Sequence, residues 1–372
     1  MRRRDFSLWL LKAGAASILA PQLRVHALGD ETAPVRELYT RAIVIDSLCA
    51  PFADMDAPPT PDALAAVRRS GITAVNFTSP SLEFEDTVYA LATLQKLVED
   101  DRAETFLLVR RHSDLARCKN EGKLGIMVGF QQTAVLEQAP ERIDTFRKLG
   151  VRIMQLTYNK RGKFGDGCLE SANAGLTEAG IDAIRLMNRF GVAVDLSHSG
   201  YRTMSEAITR STKPVLISHS GCAALYSHPR NTPDEILKSL ADHGGYFGIY
   251  LMPYLVSSPT VPTREHVLNH LLHALKVCGT DHVGIGSDGG IQKVVLTGAQ
   301  KAMFDQAMAQ RKQAGIAAPG EDRYPYVPDL NGPDHMQMIA EELTKRGQPS
   351  STIEKVLGAN FQRVIGEIWG AN

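Results

Sequence analysis

The fold is indicated by three short apolar runs, AVDLSH at 193–198, VLISH at 215–219 and VGIGSD at 283–288. Each run lacks the polar alternation of a half-exposed strand, so it predicts a strand that is buried on both faces. Each run also ends in a side chain that can bind a metal ion, namely His198, His219 and Asp288. Because parallel strands place their carboxyl ends at one edge, we expect these three side chains to lie close together.

Further apolar runs, separated by helical patterns, extend this arrangement along the chain. The eight predicted strands are Ala42–Ser47, Thr73–Phe77, Leu124–Phe130, Arg152–Thr157, Val192–Ser197, Val215–Ser218, Tyr246–Tyr250 and Val283–Ser287. Their alternation with helices predicts one α/β domain, a (β/α)₈ or TIM barrel. In such barrels the active site lies where the strands end, so two histidines and an aspartate there indicate a metal-dependent hydrolase.

Two connections are longer than the usual turn between a strand and a helix. Asn159 to Ala174 is rich in glycine and charge and follows the fourth strand, and Gly289 to Pro333 follows the eighth. The second connection contains a predicted helix at 299–314. Loops of this length on the catalytic face of a barrel often form lids or walls of the substrate site.

Residues 1–27 differ from the rest of the chain. Three arginines at 2–4 precede a mildly apolar stretch at 7–20, which is typical of a twin-arginine export signal. A membrane anchor is disfavoured, because this stretch contains Lys12 and is shorter than the roughly 20 residues that span a bilayer. We therefore predict an export signal at 1–27 and a barrel domain at 28–372. The mature protein is expected in the periplasm or otherwise exported, without a stable membrane span.

Charge and cysteine content argue against several classes of protein. The whole chain has 41 basic and 41 acidic residues, and loss of residues 1–27 removes five basic and one acidic residue, which leaves a formal net charge of −4. This balance disfavours nucleic-acid binding. The five cysteines lack Cys-x-x-Cys spacing, so they predict neither a disulfide framework nor a cysteine zinc site. The sequence is compatible with one disulfide in an oxidising compartment. It is also compatible with a homodimer.

Five motifs, in one order along the chain, resemble those of the membrane dipeptidase (renal dipeptidase) family of metallopeptidases. They read VDLSH at 194–198, SHS at 218–220, HPRN at 228–231, DHVGIGSD at 281–288 and LGANF at 357–361. The resemblance extends from about residue 42 to residue 368. It implies a two-zinc centre on a (β/α)₈ barrel, in which His198, His219, Arg230 and Asp288 match the family pattern.

Half of that centre departs from the pattern. Leu48 and Ala50 stand where the family has a histidine and an aspartate, and Gln131 stands where it has a metal-bridging glutamate. Tyr158 replaces a histidine that helps to polarise the scissile carbonyl. Two divalent ions that lie about 4 Å apart repel by roughly 20 kcal/mol at an effective dielectric constant of about 20, and a neutral glutamine cannot offset this repulsion.

We therefore predict one Zn²⁺ ion instead of two. His198 and His219 are expected to hold it, and Gln131, Asp288 or water would complete its coordination shell. The position of Asp288 after the eighth strand suits a carboxylate that holds or deprotonates metal-bound water. Arg230 could bind a substrate carboxylate with its planar fork, or it could form an ion pair that holds its loop.

Three neighbouring side chains remain open to more than one interpretation. Alternation along a strand places Cys49 opposite to Leu48 and Ala50, which favours a packed thiol over a metal ligand. Asp46 shares the inward side, and it either binds a metal ion, orients the site or has a structural role. Tyr158 either donates a hydrogen bond to the developing oxyanion or forms part of the wall of the site.

The sequence thus predicts an exported metal-dependent hydrolase that cleaves a dipeptide or another small amide with a free carboxylate. In this interpretation Asp288 and Tyr158 act in catalysis, and Arg230 and Tyr158 bind the small peptide-like substrate. The alternatives are a non-hydrolytic barrel that binds such a ligand and a tailoring enzyme that acts on a peptide-like metabolite.

Overall fold

The structure, a computed structural model, describes residues 33–52, 58–79, 83–137 and 139–370. Its centre is a sheet of eight parallel strands, β1 (Ile45–Asp46), β2 (Ala74–Thr78), β3 (Leu124–Phe130), β4 (Val151–Gln155), β5 (Ala193–Asp195), β6 (Leu216–Cys222), β7 (Tyr246–Ile249) and β8 (Val283–Ile285). Each strand pairs with the next one in this order. The first and last strands meet where the backbone N–H of Ser47 donates to the carbonyl of Ile285 at 2.9 Å. The predicted (β/α)₈ barrel is confirmed.

Helices surround this sheet and follow the strands in sequence. Their bounds are α1 (Ala33–Arg41), α2 (Pro61–Ser70), α3 (Phe84–Lys96), α4 (Ser113–Glu121), α5 (Ala134–Glu137), α6 (Arg142–Lys148), α7 (Glu178–Phe190), α8 (Tyr201–Arg210), α9 (Asp234–Asp242), α10 (Arg264–Cys278), α11 (Gly298–Gln313), α12 (His335–Lys345), α13 (Ser350–Glu354) and α14 (Asn360–Trp369). Helix α7 shows how local sequence sets these bounds. The Thr177 hydroxyl accepts from the Gly180 N–H at its start, and Gly191 ends it at φ 65°.

The two ends of the barrel differ in what covers them. The first residues of several strands, such as Ile45, Ala74 and Leu216, form a buried cluster with apolar side chains of α14, such as Phe361. This cluster plugs the amino ends of the strands. The carboxyl ends are left to the loops, which is where barrel active sites form.

A few elements differ from the sequence prediction. A short strand at Phe106–Leu108, which was not predicted, pairs with β3. Cys49–Ala50 forms a separate two-stranded pair with Gly289–Gly290, because the chain bends at 47–48 and leaves the barrel sheet. The five cysteines are all free thiols, so the disulfide that the sequence left open is absent from this structure.

The predicted export signal at 1–27 lies outside the described residues. Within the described residues, no helix combines the length and the apolar character that a membrane crossing requires.

Candidate metal centre and substrate cleft

His198 and His219 lie side by side, His198 in the turn that follows β5 and His219 within β6. Both side chains are buried, and their ring centroids are 5.1 Å apart at an interplanar angle of 61°. With Zn–N bonds of about 2 Å and a centroid roughly 1.2 Å beyond each nitrogen, two imidazoles on one tetrahedral ion have centroids about 5 Å apart. The spacing of this pair is therefore compatible with a shared ion.

A hydrogen-bond chain from Asp195 fixes the His219 ring. The Asp195 carboxylate accepts from the Ser218 hydroxyl at 2.5 Å, so this hydroxyl has used its proton. The Ser218 oxygen then accepts from Nδ1 of His219 at 2.8 Å. Consequently Nε2 of His219 carries a lone pair, and this buried nitrogen has no hydrogen-bond partner among the described residues. A metal-binding histidine commonly donates its other N–H in this way.

His198 is fixed by different neighbours. Its Nδ1 lies 2.7 Å from Oδ1 of Asn159, and its ring stacks on Tyr158 with centroids 4.2 Å apart. Burial, together with the nearby Arg230 charge, lowers the pKa of both His198 and His219 well below the usual histidine range. Both rings are therefore neutral, which is the state that binds metal ions.

Arg230 lies directly behind the two histidines. Its side chain is 2% exposed and donates through Nη1 to the Ser197 carbonyl and through Nη2 to the His219 carbonyl at 3.4 Å. Asp288 lies close enough to interact with its charge, but within the described ranges the guanidinium makes hydrogen bonds to backbone carbonyls and no salt bridge to a carboxylate. A buried cation without a direct salt bridge favours an anionic ligand, which is compatible with the predicted carboxylate-binding role.

Asp288 and Gln131 form the opposite side of the cleft. Asp288 follows β8 at φ 56°, a left-handed conformation that is uncommon for aspartate and typical of functional sites. Nε2 of Gln131 donates to Oδ1 of Asp288 at 3.4 Å. The amide nitrogen of Gln131, not its oxygen, thus faces the aspartate. Burial also raises the pKa of Asp288 to about 6.

A cavity of about 120 Å³ lies where the resemblance places the first metal. Its wall includes Leu48, Ala50, Gln131 and Asp288. Two apolar side chains and a neutral amide supply neither the ligands nor the negative charge that this ion would need. The residues on this side therefore do not fit a metal ion, whereas the histidine pair does.

Cys49 agrees with the favoured interpretation of a packed thiol. Its side chain is buried within the main apolar cluster, whereas the neighbouring Ala50 is exposed. Burial raises the pKa of the Cys49 thiol well above its usual range, so the thiol stays protonated.

Asp46 has a structural role. Its Oδ1 accepts from the backbone N–H groups of Leu48 and Ser287, which ties the bend after β1 to the end of β8. Among the described residues, no group of three histidine, cysteine, aspartate or glutamate side chains is placed to hold a metal ion. The histidine pair must therefore be completed by other ligands, and the participation of Gln131 and Asp288 stays a prediction.

The segment from Arg311 to Glu321 closes the cleft and was not predicted as part of the site, although its connection was expected to form a wall or lid. Nη2 of Arg311 lies 3.5 Å from the Tyr158 hydroxyl, and Nε2 of His228 lies 2.8 Å from the Pro319 carbonyl. Asn159, which was also missed, donates to a carbonyl in this segment. Its position directly after Tyr158 was the available signal.

Comparisons with known proteins identify the family of this chain. A sequence profile described as membrane dipeptidase (peptidase family M19) matches residues 33–302. A dipeptidase of Clonostachys rogersoniana is 31% identical over 276 residues, which are 70% of this chain and 62% of that protein. A dipeptidase of Claviceps purpurea is 30% identical over 288 residues, which are 76% of this chain and 60% of that protein. The chain thus spans about three fifths of the length of these curated relatives.

A solved structure extends the likeness to the whole barrel. The crystal structure of an amidohydrolase from Pseudomonas aeruginosa superposes with a TM-score of 0.80 at 30% identity, and the match covers 91% of this chain and 99% of that one. The profile match covers well over half of the 372 residues. The chain belongs to the membrane dipeptidase family, peptidase family M19.

Proposed function

We propose that this protein is an exported metal-dependent hydrolase that cleaves a dipeptide or another small amide with a free carboxylate. The observation that carries this proposal is the buried Nε2 of His219, which has no hydrogen-bond partner among the described residues and lies beside the His198 ring and the buried Arg230. An unpartnered lone pair next to a buried cation that contacts only backbone carbonyls by hydrogen bonds favours a metal ion and an anionic substrate group at adjacent positions.

His198 and His219 would hold a single Zn²⁺ ion in this proposal. A bound zinc ion polarises a carbonyl and lowers the pKa of water, which is the chemistry that amide hydrolysis needs. The remaining coordination would come from water, Gln131 or Asp288. Leu48, Ala50 and Gln131 support one ion over two, because they leave the neighbouring position without an anionic ligand.

Three side chains would handle the substrate and its protons. Arg230 would anchor the carboxylate, since most of its N–H donors are free of the two backbone carbonyls that it contacts. Tyr158 would donate to the developing oxyanion, because burial raises the pKa of its hydroxyl and keeps it protonated. Asp288 would accept and return a proton, for which its raised pKa of about 6 is suited.

A tailoring enzyme or a non-hydrolytic barrel for a peptide-like ligand is the second candidate. The apolar residues at the first metal position favour it, since they remove half of the family's catalytic centre.

Zinc content and hydrolysis of a dipeptide panel, measured together on mature protein, separate the two candidates. The proposal expects about one zinc ion per chain and turnover of at least one dipeptide. His219→Ala should abolish both, whereas His243→Ala, a change in an exposed turn, should leave both unchanged. Turnover that persists without any metal would refute the metal-dependent mechanism, and zinc without turnover would favour the second candidate.

A further inference from the structure

Asn159 joins the His198 ring to the segment that closes the cleft. It lies in the loop after β4, and its side chain is buried. Its Nδ2 donates to the Ile316 carbonyl at 2.9 Å, and its Oδ1 lies 2.7 Å from Nδ1 of His198. The Cys168 thiol also donates to this oxygen at 3.4 Å. Every polar atom of the amide is therefore engaged.

These contacts determine where the imidazole proton lies. A backbone carbonyl oxygen can only accept, so the amide nitrogen must face Ile316 and the amide oxygen must face His198. Nδ1 of His198 must then carry the proton, and its Nε2 keeps the lone pair. No described residue makes a hydrogen bond with this Nε2, so it is available as a ligand.

The two histidines of the pair thus depend on different parts of the chain. His219 is oriented from inside the barrel, by Asp195 through Ser218. His198 is oriented by the Asn159 amide, and the Ile316 carbonyl sets the direction of that amide. Ile316 lies beyond the family match, which ends at residue 302. If the Ile316 carbonyl moved away, only the Cys168 thiol, a weak donor, would still hold the amide oxygen in place. The amide could then turn its N–H₂ group towards His198, which would favour the other tautomer.

We propose that Asn159 is a positioning residue, which keeps the Nε2 lone pair of His198 free for the metal ion while the segment Arg311–Glu321 is docked. This inference rests on the proposed function for the identity of the ligand, but the orientation of the ring does not depend on it. Docking of the segment and binding at His198 are then coupled, and each strengthens the other by the same factor.

The tautomer can be read directly in the metal-free protein. Long-range ¹H–¹⁵N spectra of protein with ¹⁵N-labelled histidine should show His198 protonated at Nδ1, its signals being assigned by their loss in His198→Ala. Asn159→Leu removes the acceptor and should move the proton to Nε2. Asn159→Asp keeps an acceptor and should retain the Nδ1 proton. A proton on Nε2 in the unaltered protein, or an unchanged spectrum in Asn159→Leu, would overturn the proposal.

Titration of the metal-free protein with zinc alone tests the consequence for binding. Asn159→Leu should weaken zinc binding about 10- to 100-fold, the usual cost of losing the partner of a ligating histidine. Asn159→Asp should stay within about threefold of the unaltered protein. Equal losses in both variants would mean that Asn159 is merely structural. If the unaltered protein binds no zinc, the proposed function fails, and the tautomer spectra decide the role of Asn159 independently.

The coupling to the segment has its own test. Glu321 pairs with Arg311 at 2.6 Å and accepts from the Ala318 N–H, so it holds the segment together without touching His198. Glu321→Gln should speed hydrogen exchange across 314–321 and weaken zinc binding severalfold. Zinc should slow exchange there in the unaltered protein and not in Asn159→Leu. Faster exchange with unchanged zinc affinity would refute the coupling.

Discussion

Histidines of this protein differ in whether both ring nitrogens have partners. His270 accepts from the Cys222 N–H at Nδ1 and donates to the Leu255 carbonyl at Nε2, and His228 is likewise engaged at both nitrogens. His198 and His219 each use only Nδ1. A sequence pattern cannot distinguish a satisfied histidine from an available one, except by its place at a strand end. That placement set His198 and His219 apart from His270, but not from the buried His335, whose Nε2 also lacks a hydrogen-bond partner among the described residues. That the pair binds a metal ion stays a prediction.

Arg230 gives a prediction that separates substrate binding from structure. Arg230→Lys keeps a positive charge and loses the planar fork, so we expect kcat/KM for a dipeptide to fall about 10- to 100-fold, the equivalent of roughly 1.5–3 kcal/mol for a hydrogen bond to a charged group. The C-terminal amide of the same dipeptide lacks the carboxylate, and its slower turnover should change little. Kinetics on both substrates check this. Equal losses of kcat/KM on both substrates would mean that Arg230 acts by holding the Ser197 and His219 carbonyls and not by binding the substrate carboxylate.

Element boundaries show how much of the fold follows from the sequence. The third strand was predicted with its observed bounds, Leu124–Phe130, because a short, uninterrupted apolar run is typical of a strand that is buried on both faces. The fifth strand ends at Asp195, earlier than predicted, since the chain turns at 196–199 to present His198. The contact of Asn159 with Ile316 was beyond prediction, because it joins residues 157 positions apart through a backbone carbonyl.

The residues that follow β1 give a prediction about the number of metal ions. We expect the triple change Leu48→His, Ala50→Asp and Gln131→Glu to raise zinc content from about one to about two ions per chain, because it restores two ligands and a bridging charge around the 120 Å³ cavity. Metal analysis after dialysis measures this. The double change without Gln131→Glu is the matched control and should gain less. Two ions already present in the unaltered protein would contradict the argument.

The proposed export would concern the whole precursor. The arginines at 2–4 precede a domain in which the histidine pair comes from two neighbouring strands, β5 and β6, so the proposed metal site would form only when the barrel has folded. A route that carries folded proteins would let this assembly finish in the cytoplasm. Changing Arg3 and Arg4 to lysine should therefore leave precursor in the cytoplasm, as cell fractionation would show, while Arg24→Lys should not. Unchanged delivery of the double variant would exclude the twin-arginine route.

The stability of the whole molecule should fall in mild acid through His270. Its side chain is 2% exposed, and burial lowers its pKa to about 4, with smaller contributions from the nearby His273 and His266. The unfolded chain binds this proton at a pKa of about 6.5, so stability is fully present above pH 6.5 and is lost as the pH falls towards 4. The total loss from this one residue is about 3 kcal/mol.

His270→Gln isolates that contribution, because glutamine can accept and donate at the same place but does not titrate. The variant is expected to be less stable than the unaltered protein at pH 7, and its deficit in the free energy of unfolding should shrink by about 3 kcal/mol between pH 6.5 and pH 4. Urea unfolding at several pH values measures the difference. His243→Gln, in an exposed turn, is the matched control for the effect of a histidine-to-glutamine change itself. A deficit of His270→Gln that stayed constant with pH would mean that His270 is already protonated in the folded protein, which its acceptor contact with the Cys222 N–H argues against.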